Sequence, residues 1–187
     1  MRLFAALMLL VCATTANAVE LISVNVERSS GTYMMHSKVR FNVVLEQLYD
    51  TMTDWDLSTQ YSSVVVESRN TGPDELGRPG FYSKTRACLA FFCKSVERAG
   101  YVELELNQII RAVADPASSD FHVSTELWQF VRDGEGTILS YTLEMRPKFW
   151  VPPIVGPYLI KRKLRTDGID ALSRIEVVAL AQAANNE

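Results

Sequence analysis

Glu126 and Tyr141 are the residues of this 187-residue chain best placed for acid–base chemistry. They fall on two long apolar-alternating segments, Phe121–Arg132 and Thr137–Pro147, joined at Asp133-Gly134-Glu135-Gly136. Pairing across Gly134-Glu135 sets Phe130 against Leu139, Trp128 against Tyr141, Glu126 against Leu143 and Ser124 against Met145. Thr125, Gln129, Ser140, Thr142, Glu144 and Arg146 collect on the opposite, wet face. The inner face is then large and aromatic, except at His122, Ser124 and Glu126. A carboxylate facing inward is costly unless it is solvated or paired. Those three residues therefore read as the polar handle of an apolar pocket. The alternative is a bulged strand that returns Glu126 to solvent, or a His122 at an open sheet end. Glu126 with Tyr141 would suit proton transfer to a bound substrate, but no nucleophile or metal set accompanies them.

Other chemistries are excluded by what is missing. There is no G-x-S-x-G elbow, Walker loop, G-x-G-x-x-G or H-E-x-x-H. With only His36 and His122, a histidine metal cluster is not expected, nor is any other metal or cofactor. His36 alternates with Lys38 and Arg40 on an exposed strand face, and Asp54 and Asp56 around Trp55 suit helix capping. A formal charge of −3 argues against nucleic acid as a partner.

The first eighteen residues read as a signal peptide, with a membrane anchor as the alternative. Arg2 precedes an apolar run, Leu3–Val11, that is too short to span a bilayer, and Ala16-Asn17-Ala18 has the small-x-small form of a cleavage site. Residues 19–187 then form one domain, exported, and periplasmic if the source is bacterial. In an oxidising compartment Cys88 and Cys93 read first as a disulfide, with two buried thiols as the alternative.

A second feature is a basic run. Arg146, Lys148, Lys161, Arg162, Lys163 and Arg165 occur with no carboxylate between them, interleaved with Phe149, Trp150, Ile154, Val155, Tyr158 and Leu159. Positive charge at a helix start opposes the macrodipole, so helix stability does not account for it. Trp150 and Tyr158 suit a bilayer's headgroup boundary. Lys161, Arg162, Lys163 and Arg165 suit its phosphates, so peripheral contact with an anionic membrane is expected. A solvated helix face is the alternative.

The elements that must position these groups follow from periodicity. Glu20–Arg28 and Thr32–Phe41 read as a hairpin about Ser29-Ser30-Gly31. Asn42 would cap a helix from Val43 to about Met52, and a helical turn follows over Asp54–Gln60. Ser62–Ser68 is β-branched, and Asn70–Gly80 is a loop. A meander follows: Tyr82–Leu89, Phe92–Gly100, Tyr101–Leu106 and Gln108–Val113. In it Cys88 faces Cys93, Arg86 faces Ser95 and Lys84 faces Glu97 on an outer face, while Val102, Leu104 and Leu106 point inward. Pro157 opens a helix to about Ala183 with a stripe of Ile160, Leu164, Gly168, Leu172, Ile175 and Ala179.

Trp128-Gln129-Phe130, the alternation of Leu139, Tyr141, Leu143 and Met145, and the Trp150-Val151-Pro152-Pro153 lead-in to the last helix, in this order of elements, resemble the START-like (SRPBCC) superfamily. The resemblance is to its polyketide cyclase/dehydrase and lipid-transport branch, which includes coenzyme Q-binding proteins, and it covers essentially all of residues 19–187. It implies an α+β helix-grip fold, a curved antiparallel sheet around the long C-terminal helix with two short helices. It also implies an apolar cavity between them. Ser124, Glu126, Trp128, Phe130, Leu139, Tyr141, Leu143, Met145, Leu164, Gly168 and Leu172 would line that cavity. The expected function is binding or carrying a hydrophobic small molecule such as a lipid, isoprenoid or quinone-like compound. A polyketide cyclase-like enzyme and an interaction module with a filled core are the other readings.

Overall fold

A computed structural model describes residues 19–89, 92–152 and 156–185; the putting aside of residues 1–18 as a signal peptide lies outside it. Eight strands pair, each antiparallel to its neighbour, in the order β1-β2-β8-β7-β6-β5-β4-β3. They are β1 (Glu20–Ser29), β2 (Thr32–Phe41), β3 (Val65–Thr71), β4 (Gly80–Leu89), β5 (Phe92–Glu105), β6 (Ile109–Ala114), β7 (Phe121–Asp133) and β8 (Gly136–Pro147). The helices are α1 (Leu45–Thr53), the single turn α2 (Ser58–Tyr61) and the long α3 (Gly156–Asn185), with short 3-10 turns at Trp55–Leu57 and Pro116–Ser118. This is the expected α+β architecture.

Local chemistry explains the joints. The β7–β8 turn leaves two residues between Asp133 and Gly136, and Gly134 takes φ +62°, a left-handed conformation that glycine adopts without steric cost. The turn fixes the register, so Phe130–Leu139, Trp128–Tyr141, Glu126–Leu143 and Ser124–Met145 pair as expected. The Asp115 side chain accepts the Ala117 N–H and caps the turn before β7. Asn42 does not cap α1. Val44 holds that position with no side-chain cap, while the Asn42 N–H donates to Glu176 on α3.

Two strand expectations change. Phe92–Gly100 and the segment after it are one 14-residue strand, β5, which ends at Glu105 and whose pairing with β4 runs through Gly100. Val102 is buried, but Leu104, near the end of β5, and Leu106, in the turn after it, are 44% and 74% exposed. On the outer face Lys84 and Glu97 form an ion pair of 2.7 Å, and Cys88 and Cys93 form a disulfide, both in the expected register.

The core concentrates where α1 and the later half of α3 cover the sheet, among Phe41, Leu48, Tyr49, Phe81, Ile110, Ile175 and Ala179. Polar ties hold that half of α3: Ser63 to Asp170, the Asn42 N–H to Glu176, and Thr51 to Gln182, each near 3 Å. On the α3 stripe Ile160, Ile175 and Ala179 are buried, whereas Leu164, Gly168 and Leu172 are only half-buried. Over that middle stretch the helix stands off the sheet.

Candidate functional site

The space beneath the middle of α3 is a cavity of about 800 Å³. Strand alternation builds one wall, with Ser124, Glu126 and Trp128 from β7 and Leu139, Tyr141, Leu143 and Met145 from β8. Leu164, Gly168 and Leu172 of α3 face them. Phe130 is the exception among the residues read as lining it. Its ring is buried edge-on against Tyr49 of α1, 5.4 Å between centroids, so it belongs to the core rather than the cavity wall. The interior is therefore not filled.

The polar handle is differently composed from the sequence reading. His122 is exposed, because β7 bulges between Phe121 and Val123 and turns Phe121 inward in its place. Glu126 stays inside and is 8% exposed. Its partner is Arg98 of β5, which donates to its carboxylate and also to the Ser124 hydroxyl at 3.2 Å. Burial opposes the charge on Arg98, but the adjacent carboxylate outweighs it and holds the guanidinium above its ordinary pKa. A charge pair is thus set into the wall of an otherwise mostly apolar cavity.

Aromatic rings surround the pair. Trp128 and Tyr141 stack at 5.5 Å, and Trp55 meets Trp128 edge-on at 6.2 Å while stacking on Phe81 at 4.2 Å. Burial first, and the Glu126 charge second, push the Tyr141 hydroxyl well above the ordinary phenol range, with Arg98 opposing. Tyr61, sharing a hydrogen bond with Ser58 at 3.0 Å, is pushed up to about 12, again chiefly by burial. Both hydroxyls therefore remain protonated at neutral pH, able to donate or accept a hydrogen bond.

Arg98, Trp55, Tyr61 and Ser37 are wall residues absent from the sequence reading. Arg98 had a signal: with Lys84 and Glu97 facing out, the strand's period of two puts Arg98 on the inner face. Trp55 sits on a 3-10 turn with no periodicity to reveal its direction.

The basic segment lies along one part of the same wall, to which Lys94, Phe149, Trp150, Val151, Leu159, Lys163 and Arg165 contribute. Lys94 sits over the Phe149 ring at 4.9 Å. Trp150 and Tyr158 are 78% and 66% exposed. Lys161, Arg162 and Arg165 have no ion-pair partner among the described residues. Two other cations are already engaged: Lys163 pairs with Asp167 at 2.9 Å, and Lys148 donates to the carbonyls of Pro116 and Ser119. Among the described residues no three His, Cys, Asp or Glu side chains gather as a metal site, and no helix is long and apolar enough to cross a membrane.

Comparison of the fold with solved structures decides its class. A START superfamily protein from Mycobacterium smegmatis superposes with a TM-score of 0.61 at 17% identity, over 78% of this chain and 98% of its own. The chain has the START-like helix-grip fold. A STAR-related lipid transfer protein fragment from Xanthomonas axonopodis matches with a TM-score of 0.62 at 13% identity, over 87% of this chain and 99% of its own. The Zhui aromatase/cyclase from Streptomyces sp. R1128 matches at 0.63 and 8% identity, over 81% of this chain and 96% of its own. No family model and no curated protein matches the sequence.

Proposed function

We propose that this protein is an exported, non-enzymatic carrier of a hydrophobic small molecule of lipid, isoprenoid or quinone-like character. The observation that carries the reading is the cavity of about 800 Å³, largely apolar and aromatic, with the buried Arg98–Glu126 pair in its wall. Apolar ligand surface removed from water there contributes about 25 cal/mol per Å² before the costs of association. Arg98, Ser124, Glu126 and Tyr141 give a polar group of the ligand a fixed place to bond, which supports one orientation in the cavity. The likeness to a lipid transfer protein favours the same class.

The cyclase-like alternative asks Glu126 and Tyr141 to move protons. Glu126 is engaged by Arg98, and burial holds the Tyr141 hydroxyl well above the phenol range, so Tyr141 does not readily give up a proton near neutral pH. A binding role requires no such exchange. Export fits the exposed disulfide of Cys88 and Cys93. Delivery at an anionic bilayer fits the exposed Trp150 and Tyr158 beside the unpaired Lys161, Arg162 and Arg165.

Native mass spectrometry of the purified protein, followed by organic extraction, tests the reading. A co-purifying apolar compound, or saturable binding of N-phenylnaphthylamine, is the expected result. A protein that carries nothing and binds no apolar probe overturns it.

A further inference from the structure

Arg98 is the least exposed cation of the cavity wall. Its side chain is 16% exposed against 37% for Lys163, and Lys94 and Arg165 are exposed. A guanidinium set among apolar and aromatic groups is by itself a carboxylate receptor, because its planar fork matches two oxygens and its charge is little screened there. Here that receptor is already filled. Glu126 of β7 takes the Arg98 Nη1 across the intervening strand β6, and the same nitrogen donates to the Ser124 hydroxyl at 3.2 Å.

Both members of the pair keep some surface, 16% and 11% of their side chains, and both line the cavity, so a ligand's polar end can touch them. What it meets is a charge already matched. An anionic end brought to Arg98 lies against the Glu126 carboxylate as well, and a cationic end brought to Glu126 lies against the guanidinium. Either ion gives up its hydration on entering and finds no unmatched counter-charge at that point to replace it. A hydroxyl avoids both costs, because it donates to a carboxylate and accepts from a guanidinium, and a carbonyl accepts from the guanidinium alone.

We propose that Glu126 is a specificity-determining residue: by occupying Arg98 it closes the cavity to carboxylate-headed amphiphiles and reserves it for apolar molecules whose polar end is an uncharged hydroxyl or carbonyl. Arg98 acts reciprocally against ammonium-headed amphiphiles. The two charges set which polar end is admitted, and the apolar wall supplies the affinity. The inference rests on the ligand-binding reading above and narrows its ligand class.

The test is displacement of N-phenylnaphthylamine by decanol, decanoate and decylammonium at neutral pH, in about 0.5 M salt so that the exposed Lys94 and Arg165 are screened. Each ion's affinity is taken as a ratio to that of decanol in the same protein, and comparing the ratio between proteins removes the ion's own hydration cost. Wild type prefers decanol to either ion by about ten-fold or more. In Glu126→Gln the decanoate ratio rises about ten-fold, because the amide oxygen still accepts from Arg98 but leaves its charge unmatched, while the decylammonium ratio does not rise. In Arg98→Gln the pattern reverses. A pair that merely holds the fold together would lower all three affinities alike. Unchanged ratios in either folded variant overturn the inference and leave the carrier reading in place, as does a wild type that takes decanoate as tightly as decanol. If neither variant folds, that wild-type ranking decides. Failure of wild type to bind N-phenylnaphthylamine removes both readings.

Discussion

Arg98 and Glu126 form an ion pair inside the cavity wall across an intervening strand, with side chains only 16% and 11% exposed. Removing one partner of such a pair leaves an uncompensated charge, whereas replacing both with apolar groups of similar volume is close to neutral. Arg98→Met and Glu126→Leu are each expected to cost about 3–5 kcal/mol in urea unfolding. The double variant should recover most of that loss while losing orientation of the ligand's polar group. Additive single costs would show that the two charges do not depend on each other.

The buried phenols predict a specific alkaline weakness. Tyr61 is raised from 10.0 to about 12 in the folded protein, so in the unfolded chain it gives up its proton first. Its contribution is fully present below pH 10 and is lost as pH climbs toward 12. Tyr141 is raised in the same direction and adds to the effect. Unfolding midpoints followed across this window should fall more steeply for wild type than for Tyr61→Phe. Parallel curves for the two proteins would reject this source of alkaline lability.

The β7–β8 wall was legible because one tight turn sets every pair along it, and a period-two alternation then separates wet from dry faces. The same logic failed at His122, where a bulge adds a residue and exchanges the inner position to Phe121. Nothing in the local sequence marks such a bulge, which appears only against the partner strand. Phe130 follows the alternation inward, but what covers it is α1, a long-range contact that periodicity does not specify. Lys163 was readable: Asp167 is four residues on, at helical spacing for an ion pair, just past the end of the basic run. Trp55 is brought to the cavity by its own short turn and by its backbone N–H bonding to the Asn70 side chain, a pairing no motif announces.

Gly168 tests whether the cavity is where the ligand sits. A β-carbon added there meets only the Met35 side chain, at an ordinary 3.5 Å, so a larger residue grows into the space rather than into backbone. Gly168→Leu should keep or raise the melting temperature, since glycine in a helix interior costs about 1 kcal/mol against alanine. Binding of N-phenylnaphthylamine should fall at least ten-fold. A stable variant with unchanged probe affinity would place the binding site elsewhere.

Delivery makes the last prediction. An apolar ligand leaves the cavity cheaply only into another apolar phase, and the wall segment holding Trp150 and Leu159 adjoins the exposed Tyr158 and the unpaired Lys161, Arg162 and Arg165. Each basic residue near an anionic surface contributes about 1 kcal/mol, and the attraction is screened strongly near 0.5 M salt, where the Debye length is roughly 4–5 Å. Sedimentation with phosphatidylglycerol vesicles should therefore show weak binding at low salt that disappears at high salt. Lys161→Glu with Arg162→Glu should abolish it while the fold and N-phenylnaphthylamine binding persist. Lys163→Gln should matter far less, because Asp167 already matches that charge. Equal binding to neutral and anionic vesicles, or none at low salt, would leave the basic run as a solvated face and require another route for the ligand.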